Sequence, residues 1–285
     1  MNTLSYSLVI PAHNEELYIA QTLQSVVNQT VLPTKVVVVD DHSTDETAQL
    51  VKIFVEKYSF IELLQIQSGA EHLPGSKVIQ AFNKGLPLLQ NNFDILVKLD
   101  ADLILPTNYF ETIIQHFLAD KTVGMAGGFA YIEKNNEWIL ENLTDKTHIR
   151  GAFKAYRKAC FEQIGGLQPE MGWDTADELI ARFYGWKIVT NENLHIKHLK
   201  PTGANYNQAA HYKQGEAFYR LGYGWVLTSI AGLKLAFKKN KPLLFIDYLK
   251  GYWKAKQNHK PKLVTPEQEQ FIRSYRWKKI KEKFF

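Results

Sequence analysis

The sequence predicts an α/β protein in which a mostly parallel sheet is flanked by helices. Short apolar runs alternate with segments whose apolar residues recur at helical spacing through the first hundred residues. The run at residues 35–39 is apolar at four of its five positions, which is typical of a parallel strand covered on both faces. Strands separated by helices of this length form βαβ units with right-handed crossovers.

The predicted elements follow in order along the chain. The strands are residues 7–10, 35–39, 61–66 and 93–99. The helices are residues 15–28, 44–58, 78–90 and 107–118. Asn14 is predicted to cap the first helix, and Ser43 or Thr44 the second, with Glu46 completing a capping box. Beyond residue 102 the pattern loosens into a strand at 124–132 and helices at 161–164 and 177–184.

Charge divides the chain into an acidic body and a basic end. Residues 234–285 carry 15 Lys and Arg against 4 Asp and Glu, whereas residues 1–233 carry 19 against 25. We therefore expect a domain at residues 1–205 and a basic helical segment at 206–285. With 45% hydrophobic and 22% charged residues the chain is globular, and its one cysteine, Cys160, excludes an internal disulfide.

The sequence shows no targeting segment. The first residues lack a basic region before an apolar stretch, and the apolar run at 225–237 is too short to span a bilayer. We expect a cytoplasmic protein, with peripheral attachment to the inner face of the cell membrane as the alternative.

Polar clusters follow three of the predicted strands. Residues 11–15 follow the first strand, residues 40–45 the second, and Asp100-Ala101-Asp102 the fourth. In open α/β sheets, ligands bind beyond the carboxyl ends of the strands, so these clusters are expected to share one site.

Asp100 and Asp102 are candidates for a metal site. In extended backbone they point to the same side, where two carboxylates are stable only beside a cation or with one of them protonated. Mg²⁺ or Mn²⁺ bridging to substrate phosphates would satisfy both. A ligand-free surface turn is the alternative, and the position of the pair after a buried strand favours the metal.

Asp40 and Asp41 are candidates for nucleotide recognition, because carboxylates there could accept hydrogen bonds from a nucleobase or a ribose. Dehydrogenase chemistry is disfavoured, since the chain contains no Gly-x-Gly-x-x-Gly. A nucleotidyltransferase needs a basic, glycine-rich loop after the first strand, and residues 11–16 contain no Gly, Lys or Arg.

Taken together, these motifs resemble family 2 glycosyltransferases of the GT-A fold. The matching residues are Val9-Ile10-Pro11-Ala12-His13-Asn14-Glu15-Glu16, Val38-Val39-Asp40-Asp41-His42-Ser43-Thr44-Asp45, Gly75-Ser76-Lys77, Ala81-Phe82-Asn83-Lys84-Gly85 and Leu99-Asp100-Ala101-Asp102. The resemblance covers about residues 5–200, and His42 stands where the family commonly has glycine. It implies an inverting, metal-dependent transferase that uses a nucleotide-diphosphate sugar bound mainly by residues 1–102, with the acceptor half at about 103–205.

The resemblance also implies roles for individual residues. Asp102 would be the main metal ligand, with Asp100 assisting and His198 as a further ligand for Mn²⁺ or Mg²⁺. The donor site would be lined by Pro11, Ala12, Asn14, Glu15, Asp40, Asp41, Lys77 and Asp100.

An inverting transfer needs a base for the acceptor hydroxyl. The family's acidic pair before an Arg would fall on Thr175-Ala176, counting back from Arg182, so the base must be a nearby acid. We favour Asp177, expected on the first helical turn, over Glu178 and then Asp174. Acids that only stabilise the helix N-terminus are the structural alternative.

The C-terminal segment carries apolar and aromatic residues bordered by lysines. Residues 218–285 therefore fit an anionic membrane surface, and equally a helical appendage that packs on the body or forms a homodimer. Nucleic acid is not an expected partner. The expected partners are a nucleotide-diphosphate sugar and a saccharide or lipid-linked acceptor. A non-catalytic nucleotide-sugar-binding protein remains the alternative function.

Overall fold

The computed structural model describes residues 4–68, 75–141, 145–200 and 209–284. The chain divides into two compact units. The first unit is Met1–Pro169 with Gly185–Thr202, and the second is Glu170–Tyr184 with Gly203–Phe285. The predicted boundary between residues 205 and 206 lies outside the described residues.

A nine-stranded sheet forms the centre of the first unit. The strands are β1 (Tyr6–Ala12), β2 (Lys35–Asp41), β3 (Ile61–Ile66), β4 (Ile95–Leu99), β5 (Leu103–Ile104), β6 (Val123–Lys134), β7 (Glu137–Leu140), β8 (Phe153–Arg157) and β9 (Lys187–His198). They lie in the order β3-β2-β1-β4-β8-β6-β9-β5, with β7 paired to β6. The first four are parallel, as predicted, whereas β8 joins β4 and β6 in antiparallel pairs.

The parallel half of the sheet is covered on both faces. Val36, Val37, Val38 and Val39 of β2 are all fully buried. The helices of this unit are α1 (Ile19–Val27), α2 (Thr47–Lys57), α3 (Ser76–Gly85), α4 (Tyr109–Ala119) and α5 (Lys158–Gln163). The predicted α/β fold class is therefore confirmed.

Two predicted helix starts are wrong. The helix α1 begins at Ile19 and not after Asn14, because Asn14 has a φ of 55° and bonds to the neighbouring loop. The helix α2 begins at Thr47, and neither Ser43 nor Thr44 caps it. Instead, the carboxylate of Asp45 accepts the N–H of Thr47 at 3.0 Å.

Five helices make up the second unit. They are α6 (Trp173–Phe183), α7 (Ala209–Arg220), α8 (Gly224–Lys238), α9 (Leu244–Gln257) and α10 (Pro266–Phe284). Aromatic contacts join α6 to α10, where the Phe183 and Phe271 ring centroids are 5.7 Å apart. Among the described residues, no helix is long and apolar enough to cross a bilayer.

The helices α7 and α9 approach each other at two glycines. A Cβ on Gly215 would lie 1.8 Å from the carbonyl oxygen of Tyr248, and one on Gly251 would lie 2.0 Å from that of Tyr212. Both distances are far below any van der Waals contact, so the crossing requires that neither position carries a side chain.

Gly251→Ala is therefore expected to lower the free energy of unfolding by about 1–3 kcal/mol, because the backbones of α7 and α9 must separate. Gly232→Ala in α8 is the matched control. Its Cβ would meet the Phe245 and Tyr248 side chains at ordinary contact distances, and alanine favours the helix by up to about 1 kcal/mol. Chemical denaturation of both variants checks this, and equal stability would contradict the close crossing.

Candidate functional site

The ends of three parallel strands meet at one edge of the sheet. The strand β1 lies between β2 and β4, with Ala12 beside Asp40 and Val9 beside Lys98. Pro11 and Ala12 are buried at the end of β1. The clusters predicted to share a site thus follow neighbouring strands of the first unit.

Asp40 and Asp41 are buried and held by hydrogen bonds. The carboxylate of Asp40 accepts the side-chain amide of Gln65 at 3.2 Å and the N–H of Ser43 at 3.2 Å. The carboxylate of Asp41 accepts the N–H and the hydroxyl of Ser68 at 2.9 and 2.7 Å. Both carboxylates have fixed positions, and Ser68 and Gln65 are partners that the sequence did not indicate.

The loops after β1 and β2 are interlocked. The side chain of Asn14 accepts the N–H of Thr44 at 2.8 Å, and its own N–H donates to the hydroxyl of Ser43 at 2.9 Å. His42 has a φ of 56°, in the left-handed region that glycine adopts most easily, which explains the family's preference for glycine there.

Glu15 connects the β1 loop to the end of β9. Its Oε1 lies 2.8 Å from Nζ of Lys200, whereas its Oε2 is buried and has no hydrogen-bond partner. Burial raises the pKa of Glu15, as do the charges of Asp102 and Asp100, against the opposing effect of Lys200. The Glu15 carboxyl group is therefore electrostatically part of the Asp100–Asp102 region.

Asp100 and Asp102 have separate cationic partners. The prediction placed both residues on one side of an extended strand. The strand β4 ends at Leu99, however, so both residues lie in the turn that follows it. Asp100 forms an ion pair with the buried Lys98. Burial and the carboxylate of Asp102 raise the pKa of Asp100, while Lys98 opposes the shift.

Asp102 faces His198 across the β5–β9 pair. Leu103 pairs with His198, and the N–H of Leu199 donates to the carbonyl of Asp102 at 2.9 Å, which fixes the two backbones. As a result, Nε2 of His198 lies 3.4 Å from Oδ2 of Asp102, and both side chains are buried.

Glu141 and Arg150 extend this contact into a chain of alternating charges. The Nδ1 atom of His198 lies 3.3 Å from Oε2 of Glu141, and the same oxygen accepts the guanidinium of Arg150. Burial alone would lower the pKa of His198, but Asp102 and Glu141 raise it to about 9. No sequence pattern indicated Glu141 or Arg150, because only the fold brings them to His198.

Two atoms here could bind one metal ion once the His198 imidazole has lost its proton. Oδ2 of Asp102 and Nε2 of His198 face each other, and a carboxylate oxygen with an imidazole nitrogen suits Mn²⁺. Within the described parts of the chain, no group of three or more His, Cys, Asp and Glu could hold a metal ion. Any further ligands would have to come from a substrate or from water.

Lys77 lies in the first turn of α3 and is half-buried. The helix begins at Ser76 and is preceded by Gly75, whose φ of 77° lets the chain turn into it. Gly85 ends the same helix against β1 and β2, where an added Cβ would lie 2.7 Å from Val9 and 2.8 Å from Val39. Gly75 is therefore suited to the turn into α3, and Gly85 to the close packing of α3 against the sheet.

The proposed acids of α6 lie in the second unit. Asp177 and Glu178 are buried, Asp174 is half-buried, and Oδ1 of Asp177 accepts the N–H of Glu178 at 2.6 Å. The prediction that Asp177 lies on the first turn is wrong. Gly172, with a φ of 86°, starts the helix at Trp173, so the first turn carries Asp174. The helix-dipole explanation thus applies to Asp174 and not to Asp177.

Comparison with known proteins identifies the family. The sequence model of glycosyl transferase family 2 matches residues 7–173. The probable glycosyltransferase YdaM of Bacillus subtilis (strain 168) is 37% identical over 207 residues, which cover 62% of this chain and 46% of the relative. The chain therefore spans about half the length of this relative.

Solved structures show the same fold. One is the mannosyltransferase PcManGT of Pyrobaculum calidifontis, in complex with GDP-Man and Mn²⁺, with a TM-score of 0.58 at 18% identity. The match covers 90% of this chain and 76% of the mannosyltransferase chain. TarS 1-349 of S. aureus, in complex with UDP-GlcNAc, has a TM-score of 0.56 at 17% identity, with coverages of 88% and 73%. The fold is the GT-A fold of glycosyltransferases, and the chain belongs to glycosyl transferase family 2.

Proposed function

We propose that this glycosyltransferase is inverting and moves a sugar from a nucleotide-diphosphate sugar to an acceptor hydroxyl. The observation that carries the proposal is the contact of Asp102 with His198 beside the ends of β1 and β4 in a family 2 chain. Two proteins of the same fold are named as bound to GDP-Man and UDP-GlcNAc, which supports this class of donor.

The proposed donor site lies at the ends of β1 and β2. A carboxylate offers about four lone-pair positions, so Asp41 can accept a nucleobase or ribose hydrogen bond in addition to those from Ser68. Asp40 would act in the same way. The other proposed donor-site residues are Pro11, Ala12, Asn14, Glu15, Lys77 and Asp100. Asn14 would mainly hold the two loops together, since its amide oxygen is bonded to Thr44.

The proposed metal is Mn²⁺ or Mg²⁺, bound by Asp102 and His198. The 3.4 Å between their facing atoms is close to the spacing of adjacent donors around one such ion. When bound, the ion supplies positive charge to the departing diphosphate. Glu141 would hold the imidazole through Nδ1, and Asp100, already paired with Lys98, would assist through the ribose or a metal-bound water.

The proposed base is a carboxylate of α6. Asp177 is the first candidate, followed by Glu178 and then Asp174. The base takes the proton of the acceptor hydroxyl as its oxygen attacks the anomeric carbon, and the diphosphate leaves on the opposite side.

The proposed acceptor is a cell-surface glycan or a lipid-linked saccharide, and the proposed location is the cytoplasm, where nucleotide sugars are made. Support for a polymeric acceptor comes from TarS, which is named as a poly(ribitol-phosphate) beta-N-acetylglucosaminyltransferase. A homodimer is a further proposal, and nucleic acid is not a proposed partner.

The first test screens nucleotide sugars by thermal shift with and without Mn²⁺. The correct donor is expected to raise the melting temperature only with the metal, because ligand binding stabilises the folded state. Asp102→Asn should abolish both the metal-dependent shift and transfer. Asp120→Asn, which removes an exposed ion pair with Lys187, should retain both. Normal turnover by Asp102→Asn would refute the metal site.

The second test concerns the residue behind His198. Glu141→Gln keeps the side-chain shape but removes the charge that orients the imidazole, so Mn²⁺ affinity should fall about 10–100-fold. Mn²⁺ titration followed by electron paramagnetic resonance measures this directly. Glu192→Gln, at an exposed pair with Lys146, should leave the affinity unchanged. Equal affinities in both variants would show that Glu141 does not position His198.

The third test assigns the base. Asp177→Asn should retain donor binding and lose transfer by more than about 100-fold, because proton transfer by a positioned base contributes about 10²–10⁴-fold. Glu178→Gln is the matched comparison, with melting temperature reporting on the fold. If only Glu178→Gln loses transfer, Asp177 is not the base. Donor binding without transfer in the unaltered protein would favour the non-catalytic alternative.

A further inference from the structure

An exposed apolar stripe runs along α8 in the second unit. Val226, Ile230, Leu233 and Phe237 follow the spacing i, i+4, i+7, i+11, which places them on one face of the helix. They are between 38% and 65% exposed. The opposite face, with Leu227, Thr228, Gly232 and Ala236, is buried, so α8 already has its packing partners on that side.

The stripe continues across the turn into α9. Leu243, just before the helix, is 77% exposed, and Ile246 in its first turn is 49% exposed. The turn has a core of its own, in which Ala236, Leu244 and Tyr248 are buried together. The outward position of Phe237 and Leu243 is therefore a feature of a packed hairpin and not of a loose chain end.

Positive charge predominates around this stripe in the sequence, where Asp247 is the acidic residue that directly follows Ile246. Residues 217–246 contain no Asp or Glu, and they contain Arg220 and four lysines. The lysines are Lys234, Lys238, Lys239 and Lys241, all exposed near the turn. We call the four lysines and the six apolar residues (Val226, Ile230, Leu233, Phe237, Leu243 and Ile246) the hairpin patch.

We propose that the hairpin patch docks the protein on an anionic phospholipid surface. The apolar side chains would enter the interface, and the lysines would contact the phosphate headgroups, as in amphipathic helices that lie in the plane of a membrane. The excess of four lysines over the one neighbouring acid, Asp247, is the complementarity that such a surface requires. This inference is independent of which donor the first unit uses.

A second copy of the chain fits the patch less well. A symmetric dimer through this face would bring four lysines from each copy together, against one neighbouring acid, Asp247, from each. Like charges at close range destabilise an interface, whereas an anionic bilayer offers counter-charges along its whole surface.

The experiment is vesicle co-sedimentation of the full chain. Vesicles of phosphatidylcholine with phosphatidylglycerol should bind the protein, and phosphatidylcholine alone should bind it weakly, with salt reducing the first interaction. Phe237→Gln with Leu243→Gln should weaken binding at least 10-fold. The triple change Lys238→Glu, Lys239→Glu and Lys241→Glu should weaken it more, since each lysine is worth about fivefold.

A charge-matched control separates the patch from net charge. Lys260→Glu, Lys278→Glu and Lys281→Glu alter exposed lysines of the same unit outside the patch and change the net charge equally. This control should keep vesicle binding largely intact, and all variants should keep their melting temperature. Equal loss in the two triple variants would overturn the proposal, as would a dimer in solution that Phe237→Gln with Leu243→Gln dissociates.

Discussion

Carboxylates buried close together need cations beside them, and the first unit meets this requirement with alternating charges. Arg150, Glu141, His198 and Asp102 follow one another as positive, negative, positive and negative groups. These four residues lie in or next to different strands, so their series of charges forms only when β4, β7, β8 and β9 are all in place. The chemistry proposed for Asp102 thus depends on the half of the sheet beyond β4, where parallel and antiparallel pairs are mixed.

Local sequence predicted the parallel half of the fold well. The strand at 35–39 was recognisable because burial on both faces requires an uninterrupted apolar run, and β2 has that environment. Asp40, Asp41 and Asp102 were predicted by the same reasoning, since residues after parallel strands meet at one edge. Glu141 and Arg150 were not predictable, because their association with His198 arises from pairings between strands far apart in the sequence.

The wrong helix starts at α1 and α2 have a common physical cause. Asn14 was predicted to cap α1, but its amide oxygen accepts a hydrogen bond from Thr44, a residue of another loop. Polar side chains near a helix start can satisfy either the helix or a neighbouring loop, and only tertiary structure decides between them. At α6 the decisive residue was Gly172, whose left-handed backbone moved the helix start and put Asp177 in its second turn.

The glycine crossing of α7 and α9 has a consequence for how this unit can change over evolution. Gly215 and Gly251 leave no room for a larger side chain, so the inner geometry of the helix pair is held constant. The outward residues of α8 and α9 carry no such restriction, because no neighbouring backbone confines them. Descendants of this sequence could therefore vary their outer surface, and with it their location or partner, while the helical scaffold stays the same.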